Sequence, residues 1–191
     1  MQLRNSQSHY GLITLSFHWL TVALVIVAWA LGTFGDDFPR GPARVAALFV
    51  HNTAGLALMV LILARLAWRV GDPPPGPEPT FLGVWGDHAG LIAHYALYLL
   101  LVAVPVVGVV LQFARGDALP IFGLYDVASP WAADRAFSRS VKGLHELLAN
   151  ALMALAALHA VAALVHHWVL RDRTLLRMLP WSTPKPNDLD A

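Results

Sequence analysis

Four long apolar stretches, each long enough to cross a lipid bilayer, constrain this chain more than any other feature. A helix needs roughly 20 mostly apolar residues to span the hydrocarbon, and these stretches cover residues 12–34, 43–64, 89–113 and 143–170. Only 13% of the 191 residues are charged, whereas soluble domains carry about 25%. We therefore predict an all-α fold, an integral membrane four-helix bundle, forming one domain over residues 1–191.

Polar and proline-rich segments separate the apolar stretches. The sequence GDPPPGPEP at residues 71–79 divides the second from the third, because proline lacks the N–H that a helix requires. The first stretch is too long for a signal-peptide core and has no clear small-residue cleavage site, so we expect it to be retained. The absence of cysteine excludes disulfides, thiolate metal sites and covalent haem attachment through CxxCH. A net charge of +1 gives no reason to expect nucleic acid. No internal repeat is apparent.

An even number of helices places both termini on one side of the membrane. Seven cationic residues fall on that side: Arg4, Arg65, Arg69, Arg171, Arg173, Arg177 and Lys185. Six fall on the other side: Arg40, Arg44, Arg115, Arg135, Arg139 and Lys142. The small excess favours cytoplasmic termini, since cytoplasmic loops are enriched in Lys and Arg. Six cations on an exported face run against that trend, so we expect some of them to serve a function.

Five histidines lie well inside the apolar stretches: His18, His51, His94, His145 and His159. Ionisable residues inside a membrane are costly and usually mark function. His145 and His159 are fourteen residues apart, which is about 21 Å along a helix and close to four full turns. These two histidines therefore share one helix face at two depths.

The histidine depths form two pairs. His51 and His145 lie toward one membrane surface, and His18 and His159 lie toward the other. Two bis-histidine sites stacked across a membrane are what two b haems require. Gly55 follows His51 by one turn on the same face and leaves room for a flat macrocycle. Gly32 and Gly108 play a similar part or allow close helix packing. The bundle is therefore predicted to enclose two haem b groups.

Other roles for membrane histidines stay open. A single one is often only a hydrogen-bonding residue between helices, although four at matched depths are harder to explain in that way. Zinc or copper without porphyrin is an alternative, but Glu146 is the only carboxylate or thiol placed to complete such a site. His94 has no evident partner at its depth and is interpreted as a polar contact or as a neighbour of haem or quinone. His166 and His167 are interpreted as interfacial.

Sequence motifs around these residues resemble the bacterial dihaem cytochrome b561 family over nearly the whole chain. They are SFHWL, HNTAG, AHYALYLLLVAVPVVG, KGLHELLAN, LHAVAALVHH and TLLRMLP. The resemblance implies a multi-pass protein of the bacterial inner membrane with both termini in the cytoplasm. It also implies haem iron ligation at the four positions His18, His51, His145 and His159.

The likeness is greatest to the branch of the family that oxidises superoxide and reduces ubiquinone. It implies an oxidoreductase that takes single electrons from superoxide at the periplasmic face and delivers them to ubiquinone in the membrane. Arg115 and Lys142 match positively charged positions near that face, and Arg135 and Arg139 lead directly into the helix that carries His145. Clustered cations would raise the local concentration of an anion. Alternatively, they are solvated loop charges balanced by Asp126, Asp134 and Glu146.

Two other functions are compatible with the sequence. One is a cytochrome b subunit that passes electrons between a partner dehydrogenase or hydrogenase and quinone, as in the hydrogenase-linked cytochromes that resemble this bundle. The other is a haem-free bundle acting as a transporter or assembly factor. The first requires a redox partner protein, whereas the second predicts no absorbing cofactor. The expected non-protein partners are membrane lipid, superoxide and ubiquinone.

Overall fold

Four long helices dominate the computed structural model, which describes residues 2–79 and 83–179. They are α1 (Leu12–Phe34), α2 (Pro42–Gly71), α3 (Gly83–Ala114) and α4 (Arg135–Val165), and α4 continues into a π-helical turn, His166–Leu170. All four are long and apolar enough to cross a membrane. The prediction of an α-helical membrane bundle is confirmed.

The helices extend beyond three of the four apolar stretches. Helix α1 matches its stretch, but α2 runs seven residues further, α3 begins six residues earlier, and α4 begins eight residues earlier. Hydropathy marks only the residues within the hydrocarbon, whereas helical hydrogen bonding continues into the polar interface. At the start of α4, the Asp134 carboxylate accepts hydrogen bonds from the N–H groups of Ala136 and Phe137 at 2.9 and 3.0 Å. This N-cap fixes the early start.

Helices α1 and α2 pack together, as do α3 and α4, and α2 also packs against α3. Between α3 and α4 a short hairpin pairs β1 (Leu119–Ile121) with β2 (Tyr125–Val127) in antiparallel register. Its turn requires glycine at Gly123, where φ is +71° and a Cβ atom would lie 3.0 Å from Phe49 Cζ. The hairpin therefore covers the end of the bundle where α2 begins. We call this end, with residues 35–41 and 115–134, the loop end.

The opposite end, called the terminal end, joins residues 2–11, 72–79 and 171–179. The backbone N–H of Asn5 donates to the Asp72 carboxylate at 3.0 Å, and Trp68 Nε1 donates to the same carboxylate at 3.1 Å. Arg177 donates to Glu78 at 3.0 Å. Asp72 and Arg177 are buried, so the proline-rich connection is tied down by buried polar contacts. Lys185 and Pro180, the last residue of TLLRMLP, lie outside the described residues.

A small apolar cluster lies in the middle of the bundle. It contains Val25, Leu58, Ile62, Leu101 and Leu152, which together come from all four helices. Leu152 is seven residues from the histidine on either side of it in α4, so the cluster lies midway between the two histidine levels. Many large apolar side chains point outward, including Ile92 and Trp168, which are 67% and 68% exposed. Outward-facing apolar side chains are expected of helices that contact lipid.

Candidate functional site

Two histidines face each other at the loop-end level. The ring centroids of His51 on α2 and His145 on α4 are 6.1 Å apart, with the ring planes at 81°. Imidazole–metal bonds are about 2 Å long, so two rings bound on opposite sides of one metal have centres about 6 Å apart. The spacing of this predicted pair therefore fits a metal between the rings.

Hydrogen bonds fix the orientation of both rings. His51 Nδ1 lies 2.8 Å from the carbonyl oxygen of Ala28 on α1, and His145 Nδ1 lies 3.1 Å from the carbonyl oxygen of Val104 on α3. Because a carbonyl only accepts, each Nδ1 must carry the proton. Each Nε2 is then the unprotonated nitrogen, available as a ligand. Metal-binding histidines commonly donate their other ring N–H in this way.

Glycines let the neighbouring helices approach these rings. A Cβ atom at Gly32 would lie 2.9 Å from His51 Cε1, and one at Gly108 would lie 3.1 Å from His145 Cε1. A Cβ atom at Gly55 would meet nothing within 4 Å. Gly32 and Gly108 therefore make room for the imidazoles, while the space beside Gly55 is open, as a bulky planar group next to His51 requires.

Three histidines gather at the terminal-end level. The ring centroids of His94 on α3 and His159 on α4 are 5.2 Å apart, and His18 on α1 is within electrostatic reach of both. The interpretation that His94 has no partner at its depth is wrong. Helix α3 begins at Gly83 and not near residue 89, so His94 lies deeper in the bundle than the apolar stretch suggested.

The remaining histidines lie apart from the two levels. His166 Nδ1 contacts the carboxylate of Asp172 at 2.5 Å, beyond the last turn of α4, and His88 Nδ1 contacts the carbonyl of Val84 on its own helix at 2.7 Å. Within residues 2–79 and 83–179, no three His, Asp or Glu side chains converge as they would around a bare metal ion.

The two helix pairs carry equivalent residues at equivalent spacings, which sequence inspection missed. On α1 these are His18, Val25, Ala28 and Gly32, and the same intervals on α3 give His94, Leu101, Val104 and Gly108. On α2 the series is His51, Leu58 and Arg65, and on α4 it is His145, Leu152 and His159. The α1–α2 pair and the α3–α4 pair thus repeat one arrangement. The residue types differ too much for ordinary repeat detection, but the matched histidine intervals were a usable signal.

The repeat has one chemical exception, because Arg65 takes the place on α2 that His159 takes on α4. The Arg65 guanidinium carbon lies 5.4 Å from the centroid of the Tyr98 ring, and that of Arg69 lies 5.9 Å from the same centroid. Next to this stack, an open groove of about 440 Å³ runs between α2 and α3, and His94 forms part of its wall. The terminal-end level therefore combines histidine, arginine and tyrosine side chains.

The four cations singled out in the sequence all lie at the loop end and are all exposed. Arg115 follows the end of α3, Arg135 begins α4, and Arg139 and Lys142 follow within the next two turns. Lys142 Nζ lies 3.4 Å from the carboxylate of Glu146. In the part of the chain that the structure describes, no carboxylate lies within ion-pair distance of the three arginines. Of the carboxylates proposed to balance these charges, Glu146 pairs with Lys142 and Asp134 caps α4 next to Arg135.

Comparison with known proteins points to one family. A profile of the family described as prokaryotic cytochrome b561 matches residues 9–181. The chain is 36% identical to a probable superoxide oxidase, CybB, of Yersinia pestis over 90% of this chain and 96% of the relative. It is 33% identical to cytochrome b561 homolog 2 of Escherichia coli K12, over 94% and 95%. It is 34% identical to a cytochrome b562 of Cereibacter sphaeroides, over 89% and 94%.

Proposed function

The chain belongs to the prokaryotic cytochrome b561 family, and we propose that within it the protein oxidises superoxide at the loop end and reduces ubiquinone in the membrane. Membership makes the protein a multi-pass bacterial membrane haemoprotein that binds haem b and transfers electrons. The haem-free transporter interpretation is therefore set aside. The number of haems, their ligands and the substrates belong to the proposal.

We assign two haems to the two histidine levels, with His51 and His145 as one ligand pair and His18 and His159 as the other. The 6.1 Å spacing of the first pair and its two Nδ1–carbonyl contacts support that assignment. For the second pair, His159 shares the helix face of His145, and His18 lies within electrostatic reach of it. His94 is then a neighbour of the second haem. When bound, each haem b accepts and releases one electron at a time.

The observation that carries the superoxide assignment is the set of cations at the start of the helix that bears His145. Arg135 and Arg139 have no carboxylate within ion-pair distance in the described residues, and they lie in the first turns of α4, after the Asp134 N-cap. Cations are unfavourable at a helix N-terminus, whereas anions are attracted there. Such an arrangement would draw a small anion toward the loop-end level. Because superoxide arises outside the cytoplasm in this proposal, the loop end faces the periplasm and both termini face the cytoplasm.

The overall reaction balances over two electrons. Two superoxide anions each lose one electron and become dioxygen, and one ubiquinone gains two electrons and two protons and becomes ubiquinol. The quinone dissolves in the membrane, so it can reach the bundle laterally between helices. No nucleophile or acid–base pair is needed at the superoxide end, because the step there is a simple electron loss.

A second candidate function is an electron-transfer subunit with a protein partner, and the β1–β2 hairpin favours it. Leu124 and Tyr125 at the tip of the hairpin are 88% and 69% exposed. Apolar side chains displayed at an end of the bundle are suited to contact with another protein. In this case the partner protein would donate the electrons, and the cations at the loop end would orient that partner.

Rapid mixing of the purified holoprotein with superoxide and a short-chain ubiquinone separates the two functions. The proposal expects the protein alone to show haem reduction within the mixing experiment and one ubiquinol for every two superoxide anions consumed. Haem that stays oxidised under superoxide, but is reduced when a co-purifying protein and its substrate are added, would reject the proposal and support the second function.

A further inference from the structure

Arg65 occupies the position in the α1–α2 pair that a proposed haem ligand occupies in the α3–α4 pair. From this juxtaposition we infer that Arg65 is a fixed positive charge that raises the reduction potential of the terminal-end haem above that of the loop-end haem. The inference rests on the proposed ligand pair His18 and His159, but it does not depend on superoxide as the substrate.

The position of Arg65 places its charge inside the bundle. It lies fourteen residues after His51, as His159 lies fourteen residues after His145. Six residues separate it from the end of α2 at Gly71, which is about 9 Å of helix. The side chain is half-buried and lies over the ring of Tyr98, with 5.4 Å between the guanidinium carbon and the ring centroid. A planar guanidinium stacked in this way is held more firmly than an ammonium group would be.

Arg65 acts on the whole terminal-end level. It is within electrostatic reach of His18, His94 and His159. In residues 2–79 and 83–179, no carboxylate forms an ion pair with it. A guanidinium cannot be deprotonated in a protein, so the charge is present at every working pH.

At the loop-end level the cations Arg115, Arg135 and Arg139 are unpaired in the described residues but exposed to solvent, which screens them, whereas Arg65 is half-buried. His145 is within electrostatic reach of Arg115 but also of Glu146, and these two charges have opposite signs. The two levels therefore differ in the charge that lies inside the bundle.

A nearby cation favours the reduced form of a haem because oxidation adds a positive charge to the group. The interaction is strengthened by the low dielectric constant of the bundle interior. Arg65 would thus place the higher potential at the terminal end. Electrons that arrive at the loop end would then reside mostly at the terminal end, where the groove between α2 and α3 opens.

Spectroscopic redox titration of the purified holoprotein tests the inference without any assay of activity. The variants are Arg65→Gln, which removes the charge, and Arg65→Lys, which keeps it. Arg69→Gln is the matched control, because Arg69 stacks on the same tyrosine and acts on His94 but is exposed. Of the two arginines, Arg65 is the one that acts on the proposed ligands His18 and His159. In Arg65→Gln we expect the higher of the two reduction potentials to fall by about 59 mV. For one electron this is a change of about tenfold in the redox equilibrium constant. In Arg65→Lys and Arg69→Gln both potentials should stay near those of the wild type.

A His51→Ala variant identifies which haem is which, because the haem that remains in it is the terminal-end one and should have the higher potential. The inference is overturned if both reduction potentials are unchanged in Arg65→Gln or if only the lower one shifts. It is also overturned if Arg69→Gln gives an equal shift. If Arg65→Gln loses a haem, Arg65→Lys is the deciding variant, because it keeps the charge. In that variant, a fall of the higher reduction potential to that of the loop-end haem contradicts the inference. A wild-type protein without two haems would instead reject the proposed ligand pairs.

Discussion

The rings of His51 and His145 lie 6.1 Å apart, and each turns its Nδ1 to a carbonyl of the helix beside it. The acceptors, Ala28 and Val104, each precede by four residues the glycine that contacts the same ring. One turn of α1 therefore fixes the ring position and the Nδ1 proton of His51, and one turn of α3 does the same for His145. The protein holds the two imidazoles in a ligand-ready orientation through its own backbone.

Adding a methyl group at either glycine should disturb this orientation. In Gly32→Ala the new Cβ atom would lie 2.9 Å from His51 Cε1, and in Gly108→Ala it would lie 3.1 Å from His145 Cε1. The ring must then shift, so we expect loss or spectral change of the loop-end haem only, with the larger effect at Gly32. Haem content and the low-spin absorption spectrum of the purified variants measure this.

Gly143→Ala provides the matched control, since a Cβ atom there would meet nothing within 4 Å. Wild-type haem content in Gly32→Ala as well as in Gly143→Ala would show that close contact with the ring does not position the ligand.

Charge reversal at the start of α4 should slow the reaction with superoxide. We expect Arg139→Glu to lower the bimolecular rate about tenfold at low salt and to weaken its salt dependence. Lys142→Glu should slow the reaction at least as much, because it leaves a second carboxylate beside that of Glu146, which now pairs with Lys142 at 3.4 Å. Stopped-flow mixing at several ionic strengths gives both quantities, with haem content measured in parallel.

The exposed Arg171 at the terminal end serves as the comparison. Arg171→Glu changes the net charge equally and should leave the rate unchanged. Equal slowing by Arg139→Glu and Arg171→Glu would mean that net charge, not local steering, governs the approach.

The C-terminal segment should lose stability in acid through Asp172. Burial opposes ionisation of this carboxyl, but hydrogen bonds from the Thr174 N–H and from His166 outweigh it and hold its pKa below the ordinary value of 3.8. A lowered pKa means that the ionised form stabilises the fold. The stabilisation is complete above the ordinary pKa and disappears as the pH falls through the lower one. The melting temperature of wild type should drop over that range, and that of Asp172→Asn should drop less. An unaltered acid profile in Asp172→Asn, with exposed Asp117→Asn as control, would contradict this account.

Hydropathy and spacing predicted much of the architecture from the sequence. Span length alone gave four membrane helices, and the fourteen-residue interval in α4 placed His145 and His159 on one face. The prediction that His94 has no partner at its depth was wrong, because hydropathy does not show where a helix begins outside the hydrocarbon. The contacts of Gly32 and Gly108 could not be predicted, since they depend on how neighbouring helices are rotated. The role of Arg65 was hidden because its equivalence to His159 appears only when the two helix pairs are aligned through the bundle.

The most direct test of the account is the amount of haem b per polypeptide, measured as the pyridine haemochrome in wild type, His51→Ala and His159→Ala. We expect a value near two for wild type. We expect a value near one for each variant, with the remaining haem differing between the two variants in spectrum and potential. His88→Ala, on the outer part of α3, should retain the wild-type value. A wild-type value near one, or two haems that both persist when His51 and His159 are replaced, would contradict the assignment of one haem to each histidine level.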